Sequence, residues 1–301
     1  MENRAKFDKH YKDIYMAKSA LEYKAWPFVA KEYVSVKNSG DAYEEVALYG
    51  VFGEAVEKPE GTPFSYDERS QGPVKRWTHK PYGLAVRITR EAIDDLKLDI
   101  MEQTLPMLGR SLAYTKHKLV TALYLDMEIG ATHTNAWNQA ICNATVPLIG
   151  GGTYSNLATA ADPTPAVLEA EIANFENAVD SRGKQVQRKA GRIVHGPALN
   201  FRFEEVLESK QSPYTANNAI NVISRLGLSH VSDPLIPLSD RSWALTTKEK
   251  DAKTGYIVLM RVAPQQMRSS DAETLDRMFY VYMRMSVECA EPWHWRKIPS
   301  I

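Results

Sequence analysis

The stretch GPVKRWTHKPYGLAVRITREAIDD, residues 72–95, says more about the fold than any other part of the sequence. Leu84, Val86 and Ile88 alternate with smaller or polar neighbours, which is the period-two pattern of a half-buried strand. Thr89 follows as a helix cap, with acidic residues in the next turn, where they oppose the helix macrodipole. The stretch therefore predicts a strand that runs directly into a helix.

The sequence around this strand predicts an extended arm. Residues 44–56 and 74–89 both have the composition of extended chain, and residues 58–73 between them are rich in proline and glycine. We interpret 44–89 as a long two-stranded hairpin with an elaborate tip. Because an isolated hairpin is marginally stable in water, the arm needs a surface to lie on. A solvated loop is the alternative, although the segment is unusually aromatic for one.

Residues 1–38 carry scattered charge and several aromatic side chains but no sustained apolar face. We interpret them as an N-terminal arm whose aromatic residues find partners elsewhere, including on another chain. An ordinary N-terminal helix packed on the chain's own core is the alternative. The residues expected to make the arm's contacts are Tyr11, Tyr15, Tyr23, Trp26 and Phe28.

The clearest single element is a helix predicted over 104–129. Its apolar residues recur at steps of three and four, and Pro106 falls in the predicted first turn, where proline is tolerated. With about 26 residues at 1.5 Å each, the helix would form a rod of about 39 Å.

Shorter elements follow this helix. Thr164 and Pro165 predict the start of a second helix with Gly183 as its stop, and a third is predicted at 200–209. Strands are predicted at 192–197, 243–246, 256–262 and 278–287. A few long helices combined with dispersed strands indicate an α+β fold.

Composition limits the possible functions. Lysine plus arginine and aspartate plus glutamate both total 37, so the formal net charge is zero. A neutral protein is a poor candidate for strong nucleic-acid binding, and it lacks the self-repulsion that keeps subunits apart. No signal peptide or membrane-spanning run is apparent. Cys142 and Cys289 are too few for a disulfide framework and predict two buried, reduced thiols of a cytosolic protein.

No catalytic motif emerges from the sequence. Residues 150–153 (GGGT) lack both the dinucleotide-binding spacing and the Gly-Lys-Ser/Thr of a phosphate loop. The histidines include no pair at i,i+4 with a glutamate between them, which a helical zinc site would need. Asp94 and Asp95 are adjacent, so on a helix they point in different directions. We therefore predict no enzyme, no metal site and no cofactor.

Residues 54–68 (EAVEKPEGTPFSYDE), together with 72–95, resemble the major capsid proteins of tailed bacteriophages. That family has the Hong Kong 97 type fold, which encapsulin shells share. The likeness continues more weakly through the long helix, 192–201 (RIVHGPALNF) and 239–245 (SDRSWAL), and ends with the strand at 279–287.

The resemblance implies a division of the chain. It gives an N-terminal arm at 1–42, an extended loop at 43–90, a peripheral domain with a spine helix at 91–130, an axial domain with part of the peripheral domain at 131–270, and a return to the peripheral domain at 271–301. The extended loop would lie over a neighbouring subunit. Its expected contact residues are Glu54, Glu57, Lys58, Glu60, Phe64, Tyr66, Asp67, Glu68, Arg69, Lys75, Arg76 and Trp77.

The implied function is self-assembly, as hexamers and pentamers, into an icosahedral head that encloses double-stranded DNA. The DNA would contact the inner face weakly and without sequence preference. The implied location is the virion capsid, after assembly in the cytoplasm of the bacterial host.

The resemblance also implies partners. Because the chain reaches the extended loop almost at once, we expect a separate scaffolding protein, with a portal protein and, in some relatives, a decoration protein. Lys58 and Lys75 lie where some relatives form covalent links, but no acceptor is identified and no crosslink is predicted. An encapsulin-like cargo compartment and a cytosolic enzyme with an unrecognised site are the alternatives.

Overall fold

The computed structural model describes residues 12–95, 98–180, 182–185, 188–211, 220–247, 256–289 and 291–301. Its α-helices are α1 (Lys12–Ala25), α2 (Arg90–Asp94), α3 (Leu98–Asp126), α4 (Pro165–Glu176) and α5 (Asn200–Glu208). Its strands are β1 (Ser35–Asn38), β2 (Tyr43–Tyr49), β3 (Gln71–Thr78), β4 (Lys80–Ile88), β5 (Val146–Pro147), β6 (Thr153–Tyr154), β7 (Ala190–His195), β8 (Ser229–Ser232), β9 (Trp243–Thr247), β10 (Tyr256–Ser270), β11 (Arg277–Cys289) and β12 (Trp295–Ile298). No described helix combines the length and apolar character needed to cross a membrane.

The larger core lies between α3 and a four-stranded sheet. The sheet has the order β1-β10-β11-β4, with β1 parallel to β10 and the other pairs antiparallel. Polar residues extend the β10–β11 hairpin past the core, so both strands are longer than predicted. The alternation predicted for β11 is confirmed, and its apolar set packs on the helix side: Phe279, Val281, Met283, Met285 and Val287.

The strand with the alternating residues Leu84, Val86 and Ile88, β4, lies at the edge of this sheet. It buries Ile88, but Leu84 stays 48% exposed. α2 follows directly, and the Thr89 hydroxyl accepts a hydrogen bond from the Ala92 N–H, as predicted for its cap.

α3 runs from Leu98 to Asp126, so the helix predicted over 104–129 exists but has different ends. Pro106 lies in the helix interior and not in its first turn, which is a correction. The residues before the proline include leucine, methionine, glutamate and glutamine, which are good helix formers. Their helix propensity offsets the loss of the one backbone hydrogen bond that proline cannot make, so the helix begins before Pro106. At the other end, the Asp126 carboxylate accepts the backbone N–H groups of residues 131–133 and turns the chain away.

A second sheet, of order β12-β9-β7-β8, packs against α4 and α5. The strands predicted near 192–197 and 243–246 are present as β7 and β9, and the helix predicted at 200–209 is present as α5. Thr164 caps α4 by accepting from the Val167 N–H, as expected. The helix ends at Glu176, however, and Gly183 does not stop it. Gly183 takes a φ of +78° in a later turn, a conformation that glycine adopts without strain.

The N-terminal helix packs on its own chain. α1 lies along α3, and Gly109 permits this contact, because a Cβ at that position would stand 1.9 Å from the carbonyl oxygen of Ser19. Such a close approach of two backbones requires glycine on one of them. The alternative of an ordinary N-terminal helix is therefore the correct one for the described part of this segment.

Aromatic residues after α1 continue the packing on α3. Trp26 meets Tyr114 edge to face with 5.8 Å between ring centroids, and Phe28 meets His117 at 5.5 Å. Tyr23 also packs against the main core. These three rings therefore contact their own chain, and because they are only half-buried, their contact with another chain stays a prediction. Of the other two, Tyr11 and the side chain of Tyr15 lie outside the described residues.

A buried carboxylate joins the N-terminal segment, α3 and the second sheet. Asp233, which is 0% exposed, accepts hydrogen bonds from the hydroxyl groups of Tyr33 (2.6 Å) and Thr121 (2.9 Å) and from the Leu235 N–H (2.9 Å). His117 Nε2 lies 3.1 Å from its other oxygen. Burial alone would raise the pKa of Asp233, but the nearby His117 ring and the hydrogen bonds from Tyr33 and Leu235 outweigh it and lower that pKa.

Candidate subunit-contact site

The predicted arm divides at His79 into two parts with different partners. β2 and β3 form an antiparallel hairpin that begins with Tyr43 opposite Thr78. β4 leaves this hairpin and pairs with β11 along its whole length. The prediction of a single arm therefore needs correction, as does the loop boundary at 43–90, because residues 80–88 belong to the body of the fold. A period-two pattern shows that a segment is a strand but not which strand it pairs with.

Trp77 fixes the base of the hairpin to the body. Its side chain is 2% exposed and packs with Ile257 and Leu259 of β10 and with Val46 across the hairpin. The expectation that Trp77 contacts a neighbouring subunit is wrong, because its ring is buried inside its own chain.

His79 links the hairpin to the sheet. Its Nδ1 lies 3.1 Å from the hydroxyl oxygen of Ser286, and its Nε2 lies 3.1 Å from that of Ser39. The Ser39 hydroxyl donates in turn to Glu44 at 2.6 Å. Burial lowers the pKa of His79, against the opposing effect of Glu44, so the ring is neutral at pH 7. The joint between loop and body is thus a short chain of hydrogen bonds without a charged histidine.

A cavity of about 40 Å³ lies beside this joint and is lined by Lys80, His133 and Glu288 among others. Burial raises the pKa of Glu288 to about 7, although Lys75 and Lys80 act in the opposite direction. Burial also lowers the pKa of His133, against the attraction of Asp126. The base of the loop therefore contains a carboxyl group that changes charge near neutral pH.

Beyond the hairpin strands, residues 50–70 form the tip of the loop, without helix or strand. Tyr66 is 93% exposed, and Val56 and Phe64 are exposed nearly as fully. Lys58 lies over the Phe64 ring at 4.3 Å. The structure places nine of the predicted contact residues on this exposed tip: Glu54, Glu57, Lys58, Glu60, Phe64, Tyr66, Asp67, Glu68 and Arg69. Several large apolar groups exposed on one segment make the tip the candidate contact surface of the described residues.

The remaining two predicted residues lie on β3. Lys75 donates to the Thr134 hydroxyl at 2.5 Å, a contact within the chain. Arg76 is exposed, stacks over the Tyr43 ring at 3.5 Å and lies 3.9 Å from Glu45. Arg76 therefore remains available at the surface, whereas the Lys75 ammonium is engaged.

Residues that the sequence did not single out hold the tip against its own chain. Arg182 donates to the Asp67 carboxylate at 2.8 Å and to the Glu68 carbonyl oxygen at 2.9 Å. Lys184 donates to the Phe52 carbonyl oxygen at 2.9 Å. The turn signal around Gly183 is visible in the sequence, but its contact with a loop more than a hundred residues away is not.

The loop also approaches the body closely at a glycine. A Cβ on Gly72 would stand 2.7 Å from Ile149 Cδ1, so the loop backbone lies directly against that side chain. Where the tip begins, the Gly50 N–H donates to the Ser70 carbonyl oxygen at 2.8 Å and closes the two sides of the loop. These contacts keep one face of the loop against the body and leave the other face in solvent.

The described residues contain no group of three or more side chains suited to hold a metal ion. The arrangement nearest to a catalytic one, His117 beside Asp233, is sealed in the core. Cys142 and Cys289 are buried and free, as predicted, and burial raises the pKa of Cys142 to about 12. These groups serve the core, and the exposed loop tip remains the candidate site.

Comparisons with known proteins agree with this architecture. The family model described as "Phage capsid protein" matches residues 74–298, about three quarters of the chain. No curated protein matches the sequence.

Solved structures with the same fold come from several kinds of shell. The virus-like particle of Pyrococcus furiosus aligns with a TM-score of 0.55 at 10% identity, covering 96% of this chain and 99% of that one. A chain of Microbacterium phage Oxtober96 aligns with a TM-score of 0.57 at 10% identity, covering 91% and 90%. An encapsulin of Synechococcus elongatus aligns with a TM-score of 0.56 at 10% identity, covering 91% and 87%.

The fold is therefore α+β of the Hong Kong 97 type, which confirms the prediction. The protein is a structural component of a multimeric capsid shell, located in the virion, and not an enzyme. With three quarters of its length matched, the chain belongs to the phage capsid protein family.

Proposed function

We propose that the chain is the major capsid protein of a tailed bacteriophage, which assembles as hexamers and pentamers into an icosahedral head around double-stranded DNA. The observation that carries this proposal is the tip of the extended loop, where Val56, Phe64 and Tyr66 are exposed to water. A subunit working alone gains nothing from such exposure, whereas a copy packed beside it in a closed shell would bury these groups.

The proposed partner of the loop is a neighbouring subunit. Apolar side chains of the tip would supply buried area, and the acidic and basic residues around them would supply the polar rim of the contact. Lys58 over Phe64 already places a charge beside an apolar ring, which suits the edge of an interface.

The division of the chain is proposed with one revision. The peripheral domain would comprise α3 with its four-stranded sheet, and would therefore include residues 35–38, 80–88 and 256–270 in addition to 91–130 and 271–289. The second sheet, with β7, β8 and β9 from within 131–270 and its edge strand β12 from the C-terminal segment, would form the axial domain around the five- and six-fold axes. The pairing of β1 with β10 and of β4 with β11 supports the revision.

Other partners follow from the same proposal. A separate scaffolding protein, a portal protein and a decoration protein would act during or after assembly in the cytoplasm of the bacterial host. The zero net charge supports weak, non-specific contact with packaged DNA, because tight binding to phosphates requires a cationic surface.

Nuclease protection tests the proposal against its main alternative. Particles would be purified from the host, treated with nuclease, imaged by negative stain and extracted. A head protein yields shells with protected double-stranded DNA. The alternative, a cargo compartment, is favoured by the equal likeness to an encapsulin and yields shells with enclosed protein and no protected DNA. A stable monomer under all assembly conditions would contradict both functions.

A further inference from the structure

The face of the loop that meets its own chain is polar. It is held by two basic residues of one turn, Arg182 and Lys184, which we call the basic clasp. Arg182 uses two nitrogens of its guanidinium, one for the carboxylate of Asp67 and one for the carbonyl oxygen of the next residue. Lys184 binds a carbonyl oxygen on the other side of the tip. The clasp therefore binds the loop on both sides of the exposed apolar segment, at Phe52 before it and at Asp67 after it.

The turn that presents the clasp is itself ordered by hydrogen bonds. The Asp180 carboxylate accepts the N–H groups of Arg182 (2.8 Å) and Lys184 (3.0 Å), and the Asp180 N–H donates to the Lys184 carbonyl oxygen at 2.7 Å. Gly183 supplies the positive φ that the turn needs. The backbone of both basic residues is therefore held in place, and the Arg182 side chain is only 23% exposed.

The loop end of the contact is ordered in the same way. The Gly53 N–H donates to the same Asp67 oxygen that Arg182 binds, so the carboxylate joins the two ends of the tip to the clasp. The Gly53 N–H, followed by Arg182, lowers the pKa of Asp67, so the carboxylate stays ionised well below neutral pH. An exposed ion pair adds little to global stability, but a guanidinium fork that binds a carboxylate and a carbonyl fixes direction.

From this geometry we infer that the basic clasp is an intramolecular positioning device for assembly. It orients the loop of each subunit so that the apolar face meets the neighbour, and the contact stays within one chain in the finished shell. This inference rests on the proposed function, in which the loop contacts a neighbouring subunit. Ordering the tip before the encounter lowers the entropic cost of forming that contact.

Charge exchange tests the inference. The single variants Asp67→Arg and Arg182→Asp each place like charges in the clasp, and the double variant restores opposite charges. In dissociated subunits, a Glu-specific protease cuts the tip after Glu54, Glu57 and Glu60. We expect about two- to fivefold faster cutting and slower shell formation in each single variant. Both should recover in part in the double variant, which restores the ion pair but not the hydrogen bonds to the Gly53 N–H and the Glu68 carbonyl oxygen. The midpoint of thermal unfolding should not change, which separates positioning from general stability.

Mixed subunits decide whether the contact lies within one chain. When Asp67→Arg and Arg182→Asp subunits are mixed, every chain carries a mismatched clasp, so an intramolecular contact predicts no recovery. Recovery in the mixture would show a contact between chains and overturn the inference. So would single variants that are cut and assembled like the wild type.

A control variant and a loop deletion complete the design. Arg241→Asp breaks another exposed ion pair, with Asp162 at 3.1 Å, and should leave cutting and assembly unchanged. If deletion of the tip leaves assembly intact, the proposed function of the loop fails. If the deletion blocks assembly while the clasp variants behave as wild type, only the clasp inference fails.

Discussion

Tyr33 donates its hydroxyl hydrogen to Asp233 at 2.6 Å, although the two residues are 200 positions apart in the sequence. The bond ties the segment after α1 to the second sheet, and Thr121 of α3 donates to the same oxygen at 2.9 Å. One carboxylate thus holds together three parts of the fold that the sequence presents separately.

Replacing this carboxylate should destabilise the subunit strongly. Asp233→Ala leaves the buried donors of Tyr33 and Leu235 without an acceptor and removes the carboxylate beside His117, and we expect a loss of about 3–5 kcal/mol in the free energy of unfolding. Chemical denaturation of dissociated subunits measures it. The control is Asp162→Asn, which breaks a half-exposed pair with Arg241 and should cost about 0.5 kcal/mol or less. Equal losses in both variants would contradict the role given to Asp233.

Gly109 should be intolerant of the smallest possible side chain. Gly109→Ala puts a methyl group within 1.9 Å of the Ser19 carbonyl oxygen, so α1 must move away from α3. Helix propensity favours alanine, but we expect the clash to prevail and destabilise the protein by about 1–3 kcal/mol. Thermal unfolding and tryptic cutting at Lys18 and Lys24 report the change. Gly40→Ala, with nothing within 4 Å of the added Cβ, is the control and should behave as wild type.

Glu288 should make stability fall as pH rises through neutrality. Burial raises its folded-state pKa to about 7, above the value of an exposed glutamate. The folded protein therefore binds this proton more tightly than the unfolded chain. The resulting stabilisation is complete below the unfolded pKa, about 4.5, and is lost as pH rises through 7.

The variant Glu288→Gln isolates this contribution. Relative to wild type, its free energy of unfolding should improve by about 1–3 kcal/mol between pH 4 and pH 8. Denaturation curves at a series of pH values measure the difference. Glu60→Gln on the exposed tip is the control for loss of one negative charge. A difference between Glu288→Gln and wild type that stays constant with pH would show that Glu288 does not titrate in this range.

Local patterns in the sequence predicted those parts of the fold that depend on neighbouring residues. Thr89 and Thr164 cap helices because a hydroxyl and the N–H it accepts from lie three positions apart. The alternation in β11 predicts burial because successive side chains of a strand point to opposite faces. The long helix was predictable for the same reason, but its ends were not: it begins at Leu98, before Pro106, and stops at Asp126, whose carboxylate turns the chain away.

Long-range pairing could not be predicted in this way. Ile88 of β4 lies opposite Arg277, and nothing local to β4 distinguishes that partner from the other strand of the arm. Trp77 reads as an exposed aromatic residue of a loop until β10 is placed over it. Arg182 belongs to an unremarkable polar turn, and its role depends on the tip of a loop 115 residues earlier. In each case the partner is chosen by tertiary packing and not by sequence spacing.

The central claim, that the loop tip serves assembly and not the fold of its own subunit, is tested most directly by deleting residues 54–66. The deletion joins Gly53 to Asp67, whose carboxylate already accepts the Gly53 N–H, so the two positions to be joined lie close together. Phe64→Ser with Tyr66→Ser tests the same apolar face at full length, and Ser65→Ala is its control.

Sedimentation and negative-stain microscopy of the deletion variant, with circular dichroism of the dissociated subunit, provide the measurement. The account predicts a subunit with wild-type secondary structure and unfolding midpoint that forms no stable shells. Shells of normal size and yield from the deletion variant, or a subunit that no longer folds, would contradict it.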